Sequence, residues 1–311
     1  MTALVVERPG LLTTVQDAGR RGGQHLGIPV SGWMDPCAAA MALALAGAPP
    51  DAALLEITAI GPTLRVEGTF PIAVAGAEFT VQIGTRVRRV PFVEQVSDGE
   101  VVTFRERLAG ARAYLAAGGG LQTTAVLGSR STDLRARLGG INGRAVVAGD
   151  RLPVAPAPAR TAVEAAIRCS WLRQRTLRLL PPPECEAAVA GLRDALCGTP
   201  ATVSPRSDRM GYRLECARPL PVPPDRLLSQ PTAPGLVQVP PDGRPILLMS
   251  DRQTTGGYAI AGVVAAADIP VAAQLLPGDT VVFAACSWEE AQAAHRARAR
   301  ELQEAIAAFG S

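Results

Sequence analysis

Lysine is missing from the 311-residue sequence, in which all 31 basic residues are arginine. This absence excludes a P-loop lysine, a Schiff-base lysine and a biotin attached to a lysine of this chain. Any phosphate or carboxylate that the chain binds must therefore be held by arginine, by backbone N–H groups or by hydroxyl groups.

Long apolar segments and metal-binding patterns are also missing. No run of about 18 apolar residues occurs, so no membrane span is predicted. The opening residues MTALVVERPG lack the features of a signal peptide. The six cysteines form no CxxC pair and there are only two histidines, a composition that predicts no metal site. We therefore expect a reduced, cytoplasmic protein.

Aromatic residues and net charge are low as well, at 4% and +3. A charge this small, spread evenly along the chain, does not indicate nucleic-acid binding. Hydrophobic residues nevertheless make up 48% of the sequence. That amount is enough to fill the core of one large domain or of two medium ones.

Short apolar segments separated by Gly, Pro and Asp predict a mainly β fold. Three times, at 97–104, 149–154 and 277–283, a turn with Asp and Gly precedes such a segment. The 31 glycines and 27 prolines are typical of barrels and sandwiches. Residues 153–160 are rich in Pro and Ala and predict a linker. We therefore divide the chain into β subdomains at 1–160 and 161–311, the second ending in a helix.

Few helices are predicted. Asp35 and Pro36 are typical of a helix start and Gly47 of its end. Ser287 and Glu290 form a capping box before an Ala/Arg-rich helix that extends to Gly310. Shorter helices are expected over 131–138 and 183–197.

Two polar loops carry a repeated pattern. Ser-Asp-Arg occurs at 207–209 and at 250–252, and Gly-Tyr follows each copy, at 211–212 and 257–258. An arginine fork suits a carboxylate or phosphate, and glycine lets the backbone approach a ligand. The alternative for each Asp-Arg pair is a turn with a surface ion pair. We predict that both loops converge on one ligand pocket.

Several blocks resemble, in the same order, the biotin-dependent carboxyltransferase-type family. They are TTVQDAGRRGGQHLGIPVSGWMDPCAAAMA, LLEITAIGPTL, GSRSTD, SDRMGYRL, VQVPPDGRPILLMSDRQTTGGY and ADIPVAAQLLPGDTVVF. The family includes the C subunit of bacterial 5-oxoprolinase, the kinase regulator KipA and the carboxyltransferase domain of urea amidolyase. The resemblance implies two cyclophilin-like β-barrel subdomains with a few short helices. One departure is Gln230, where the family commonly has Glu.

The resemblance also implies function and partners. We expect an enzyme subunit that acts with a B-type, KipI-like subunit and an A subunit in the ATP-dependent hydrolysis of 5-oxoproline to glutamate. ATP is expected in the assembled complex, where another subunit can bind it. Two alternatives stay open: a carboxyltransferase that acts on a urea-like or amide acceptor, with its biotin on another protein, and a non-catalytic, KipA-like regulator.

Candidate site residues follow from the loops and the family blocks. For catalysis, Arg209 or Arg252 would anchor a substrate carboxylate, and Asp251 or Asp208 would supply a positioned carboxylate. Substrate contacts are predicted for Gln253, Thr254, Thr255, Gly256, Gly257, Tyr258, Tyr212, Gln16, Asp17, Arg20, His25, Ser129 and Arg130. For His25 the alternative is a hydrogen-bonded structural residue.

Overall fold

A computed structural model describes residues 2–164, 170–182, 191–222 and 228–308. The protein is mainly β, as predicted. Its residues group into two compact units, one of Met1–Arg21, Ser31–Leu172 and Glu301–Ser311, the other of Gly22–Val30 and Arg173–Arg300. Both units are thus assembled from separate stretches, whereas the division at residue 160 supposed continuous ones. None of the described helices has the length and apolar character that a membrane span requires.

The first unit contains a largely antiparallel ten-stranded sheet. Two long strands, β5 and β8, pair from Ile72 opposite Ala117 to Ile83 opposite Val102, and their inward side chains form much of the buried core. The strands are β1 Ala3–Arg8, β2 Leu12–Gln16, β3 Leu54–Thr58, β4 Thr63–Glu67, β5 Phe70–Ile83, β6 Arg86–Arg89, β7 Phe92–Val96, β8 Val101–Ala117, β9 Arg151–Pro153 and β10 Val163–Glu164.

Helix α1, Pro36–Ala46, packs on β5 and β8. The Asp35 side chain caps it by accepting a hydrogen bond of 2.9 Å from Ala38 N, and Gly47 ends it with a φ of 70°. The predicted start and end of this helix are confirmed, because a side-chain acceptor, a proline at the first position and a left-handed glycine each act locally.

A closed seven-stranded barrel forms the second unit. β11 closes it by pairing antiparallel with β18 and parallel with β19. The barrel strands are β11 Thr176–Leu180, β12 Pro200–Val203, β13 Gly211–Cys216, β15 Leu236–Val239, β16 Ile246–Leu248, β18 Ala259–Val264 and β19 Thr280–Ala285. The pair β14 Gln230–Pro231 and β17 Thr255–Gly256 forms a separate small sheet. The remaining helices are α2 Leu192–Leu196, α3 Ile269–Ala273 and α4 Trp288–Ala307.

The helix predicted over 131–138 is wrong. Residues 133 and 138 form a β-bridge instead, and the Asp133 carboxylate accepts hydrogen bonds of 3.0 and 2.9 Å from Arg135 N and Ala136 N. This local side-chain bonding stabilises a turn in place of a helix. Of the helix predicted over 183–197, residues 183–190 lie outside the described ranges and α2 occupies part of the rest.

The capping box of α4 provides a test of its local stability. Ser287 N donates to Glu290 Oε2 at 2.8 Å, and Glu290 N donates to Ser287 Oγ at 3.2 Å. Ser287→Ala removes one of the two bonds and should destabilise the first turn by about 1 kcal/mol. Hydrogen exchange of the amides at 289–292 should therefore accelerate about fivefold. Ser287→Thr keeps the hydroxyl group and should exchange as the wild type; equal rates in the Ala variant would contradict the cap.

Candidate functional site

Strand register brings the two polar loops together. β13 and β16 are antiparallel neighbours, with Gly211 opposite Leu248, so the loop that precedes β13 and the loop that follows β16 leave the same end of the barrel. The backbone contacts continue beyond the strands, since Met249 N donates to Met210 O and Asp251 N donates to Arg209 O, both at 2.9 Å. The loops therefore lie side by side.

A buried ion pair links the loops through their side chains. Arg209 Nε and Nη2 donate to the two carboxylate oxygens of Asp251 at 2.9 and 3.1 Å. Both side chains are almost fully buried. A two-pronged contact of this kind fixes the plane of both groups. It forms between the loops, whereas the sequence pattern suggested Asp-Arg pairs within each loop.

Asp208 has a different environment from Asp251. It is exposed, and its Oδ1 accepts hydrogen bonds from Met210 N at 2.8 Å and Gly211 N at 3.4 Å. These bonds form a turn at the start of β13. The two copies of Ser-Asp-Arg therefore have different roles, one aspartate shaping a turn and the other holding an arginine.

Arg252 is a buried cation with few contacts. Its side chain is largely shielded, and the residue is 6% exposed. Nη1 lies 3.4 and 3.5 Å from the carbonyl oxygens of Met249 and Ser250, and Nε has no partner within the described part of the chain. Burial lowers the pKa of the Arg252 guanidinium, and the charge of neighbouring Asp251 partly opposes that shift. A ligand carboxylate would supply the missing acceptor.

The rest of the second loop lies along β14. Thr232 N donates to Thr254 O at 2.9 Å, the Thr232 hydroxyl donates to Gln253 O, and Gln253 Nε2 donates to Gln238 Oε1 at 3.0 Å. Gln253, Thr254, Gly256 and Gly257 are half-buried, whereas Thr255 is exposed.

The two Gly-Tyr pairs are not equivalent. Tyr258 is 46% exposed on its loop, but Tyr212 is buried in the barrel wall opposite Leu247. The structure thus keeps Tyr212 out of contact with solvent. Close packing explains the glycine at 211, because a Cβ there would lie 2.9 Å from the backbone oxygen of Leu247.

Five other predicted site residues lie in the first unit: Gln16, Asp17, Arg20, Ser129 and Arg130. Asp17 organises them, since its carboxylate accepts from Ser129 Oγ at 2.6 Å, from Ser131 Oγ at 2.6 Å and from Arg130 N at 2.5 Å. Gln16 Nε2 donates to Thr132 O at 3.0 Å. The structure therefore joins residues that are more than 100 positions apart, as the separations of 112 to 116 residues show.

Arg20 is held inside this cluster. Nε donates to Val126 O at 3.0 Å and Nη2 donates to Ser131 O at 2.8 Å, while Nη1 is buried without a hydrogen-bond partner in the described ranges. Its visible role is to fix the loop around Ser131. His25 belongs to the second unit and is exposed on a short 3-10 helix, Gln24–Leu26.

A buried network that the sequence did not reveal also lies in the first unit. Tyr114 Oη donates to Glu56 Oε2 at 2.8 Å and accepts from Asp35 N at 2.7 Å, while Trp171 Nε1 donates to Asp35 Oδ2 at 3.0 Å. Burial first, and then the two carboxylates, raise the pKa of Tyr114 well above its ordinary value. Tyr114 therefore remains a hydrogen-bond donor. These contacts join strands and a helix start, so no sequence motif could have indicated them.

Metal-binding clusters and glycine loops are the features of the described residues that bear on cofactors. No group of three or more His, Cys, Asp or Glu side chains in those ranges could hold a metal ion. The glycines at 118–120 do not form a phosphate cradle, because their N–H groups already donate to Pro71 O, Ala155 O and Ala117 O at 2.8 to 2.9 Å. A Cβ at these positions would meet Ala155 O, Pro156 O or Ala52 Cβ within 2.4 to 2.7 Å, so the glycines allow close packing inside the first unit.

Residues 26–285 match the family model described as the carboxyltransferase domain, subdomains A and B. The chain belongs to this carboxyltransferase family. The family resemblance noted in the sequence is thereby confirmed.

Two curated relatives match this chain over most of their own length. The C subunit of 5-oxoprolinase from Escherichia coli is 37% identical over 97% of both chains, and that from Haemophilus influenzae is 35% identical over 89% of both. The crystal structure of Kluyveromyces lactis urea amidolyase, 27% identical, covers 97% of this chain with a TM-score of 0.83. The chain spans 20% of that enzyme. A second solved structure is 38% identical with a TM-score of 0.81, and the chain spans 56% of it.

The buried ion pair predicts unequal effects of two aspartate substitutions. Asp251→Asn leaves the Arg209 guanidinium buried beside a neutral amide, and we expect a loss of about 3 kcal/mol or more in the free energy of unfolding. Asp208→Asn keeps the oxygen that accepts from Met210 N and should change stability by less than about 0.5 kcal/mol. Urea denaturation of both variants is the measurement. Equal stability of the two would show that the ion pair holds nothing together.

Proposed function

We propose that this chain is the C subunit of an ATP-dependent 5-oxoprolinase, which opens the cyclic amide of 5-oxoproline to glutamate together with A and B subunits. Support comes from the two curated relatives of that name, which align along nearly the whole chain. The structural observation that carries the proposal is the buried Arg252 guanidinium, whose Nε lacks an acceptor among the described residues. 5-Oxoproline has one carboxylate, the group that such a guanidinium binds best.

Each loop residue has a role under this proposal. Arg252 anchors the substrate carboxylate, and Arg209 is the weaker candidate because both of its bonds to Asp251 are already made. Asp251 acts as a positioning residue, since each of its oxygens accepts a bond from Arg209. Thr254, Thr255 and the N–H groups near Gly256 are placed in the same loop and would stabilise negative charge that develops on the lactam oxygen.

Nucleotide binding is assigned to another subunit of the complex. The backbone N–H groups of the glycine triplet at 118–120 already donate to carbonyl oxygens and are not available to a phosphate. The contribution of this chain is then to hold and orient the substrate, which lowers the entropic part of the reaction barrier. Its cytoplasmic location remains a prediction.

A second candidate is a carboxyltransferase that acts on an amide or urea-like acceptor. The family model and the urea amidolyase likeness favour it. Without lysine, this chain could act only on a carboxylated biotin that another protein carries. Arg252 would serve this reaction as well, because carboxybiotin is also a carboxylate.

The assembled complex distinguishes these functions. Co-expression with neighbouring A and B subunits should give a complex that releases glutamate from 5-oxoproline only when ATP is added, and the isolated chain should be folded and inactive. Turnover by the purified single chain would refute the need for partners. Carboxylation of an amide acceptor that requires a biotinylated carrier, with no glutamate release, would favour the carboxyltransferase.

Arg252 variants test the carboxylate anchor. In the complex, Arg252→Ala should lower kcat/KM for 5-oxoproline by about 100-fold or more, because two charge-assisted hydrogen bonds are lost. Arg252→Lys should recover little of that loss, since an ammonium group cannot reproduce the planar fork. The melting temperature should stay level or rise, because an unpaired buried charge is removed.

The exposed Arg206 provides the matched control. Arg206→Ala removes the same charge from the neighbouring loop and should keep wild-type kinetics. Full activity of Arg252→Ala, or a large drop in its melting temperature, would show that Arg252 is a structural residue.

A further inference from the structure

Two buried donors in the second unit lack acceptors. In its described part, Arg252 Nε and Gln238 Nε2 are the buried side-chain polar atoms without a hydrogen-bond partner. Folded proteins leave few such atoms unsatisfied, so each one requires an explanation. Both are donors. Arg252 lies in the loop after β16, and Gln238 lies on strand β15.

Gln238 is an unusual residue for its position. It lies on β15 opposite Ile246 of β16 and Ile260 of β18, on the face where Leu236, Leu248 and Ile260 cluster. It is 1% exposed. An apolar side chain would satisfy this environment better, because a buried amide is destabilising unless its bonds are made. Retention of an amide here indicates a task other than packing.

Its neighbours leave the donor group free. Gln253 Nε2 donates to Gln238 Oε1 at 3.0 Å, which fixes the plane of the amide. A Cβ at residue 256 would lie only 2.5 Å from Gln238 Nε2, so only glycine, which has no side chain, fits this close to the donor. Gln253 follows Arg252 directly, and its bond to Gln238 therefore ties the amide to the loop that carries the unsatisfied guanidinium.

We infer that Gln238 is a specificity-determining residue whose Nε2 donates to the carbonyl oxygen of a cyclic amide ligand. This inference rests on the proposed function and adds the second contact. 5-Oxoproline offers two acceptors, a carboxylate and a lactam carbonyl, and the described residues of the second unit offer two donors without acceptors, one on the loop after β16 and one on β15. Loss of a substrate group that a buried polar residue should bind is strongly discriminated, because the residue is then left unpaired. The site should therefore distinguish a ring with a carbonyl from one without it.

Three ligands separate the contacts. 5-Oxoproline has carboxylate, carbonyl and N–H; 5-oxotetrahydrofuran-2-carboxylate keeps the carbonyl but not the N–H; tetrahydrofuran-2-carboxylate has only the carboxylate on the same ring. Calorimetric titration of the complex of A, B and C subunits with each ligand should show that loss of the carbonyl weakens binding about tenfold. Loss of the N–H should change the affinity much less.

Variants assign this preference to one residue. Gln238→Glu keeps the acceptor for Gln253 Nε2 and the side-chain volume but removes the donor, and Gln238→Leu replaces the amide by an apolar group. In both, the preference for the carbonyl-bearing ligands should fall to about onefold, while tetrahydrofuran-2-carboxylate binds Gln238→Leu as it binds the wild type. Gln82→Leu, in the first unit, should leave all three affinities unchanged.

The outcomes separate the two proposals. If the wild-type complex prefers carbonyl-bearing ligands and the Gln238 variants keep that preference, the Gln238 inference is wrong and the carboxylate anchor stands. If the wild-type complex binds all three ligands equally, Gln238 does not bind the ligand carbonyl and the inference is wrong. If it binds none of them, the proposed function fails and the inference fails with it. Because Gln238→Glu preserves the Gln253 contact, a folding defect in Gln238→Leu alone does not obscure the result.

Discussion

The bond between Arg209 and Asp251 is the interaction on which the barrel-end loops depend. It joins two buried charges of opposite sign through both carboxylate oxygens, at a place where either charge alone would be strongly destabilising. Both carboxylate oxygens of Asp251 accept from Arg209, and its charge offsets only part of the effect of burial on neighbouring Arg252. The ion pair thus holds the loop on which Arg252 Nε lacks an acceptor among the described residues.

The first unit also contains a carboxylate that orders a loop and a nearby arginine that the carboxylate does not bind. The Asp17 carboxylate is satisfied by the loop at 129–131, while Arg20 finds only carbonyl oxygens at Val126 and Ser131. In each unit a carboxylate orders a loop and an arginine close to it in sequence has no carboxylate partner in the described residues. The two arginines differ in one respect: Arg20 donates from Nε and Nη2 to carbonyl oxygens and leaves Nη1 without a partner in the described residues, whereas in Arg252 it is Nε that has none.

The sequence predicts what is decided locally. Asp35, Pro36 and Gly47 act within a few residues of one another, so the bounds of α1 could be predicted, and so could the capping box at Ser287. The twin loops were also found, because their polar pattern contrasts with apolar flanks. Partner choice within them was not predictable. Arg209 pairs with Asp251, 42 residues away, because strand register, and not sequence order, decides which side chains meet.

Other features of the structure could not be predicted from the sequence, for related reasons. Gln238 is one polar residue in a buried strand, and only the structure shows that its donor is unmatched. At 131–138 the helical spacing competed with an aspartate that bonds to its own backbone, and the local bond prevailed. At 118–120, a Cβ on each glycine would lie within 2.7 Å of Ala155 O, Pro156 O or Ala52 Cβ, so close packing explains why glycine occupies these positions.

Pairing of Gly211 with Leu248 has a consequence for how such proteins diverge. Side chains alternate across a strand with a period of two, so an insertion of one residue beside Gly211 would turn Arg209 away from Asp251, whereas a two-residue insertion would restore its direction. Length variation should therefore accumulate outside the paired strands, where no such parity applies. Related chains with new substrates are expected to differ there in loop length while the lengths of the segments that flank β13 and β16 stay constant.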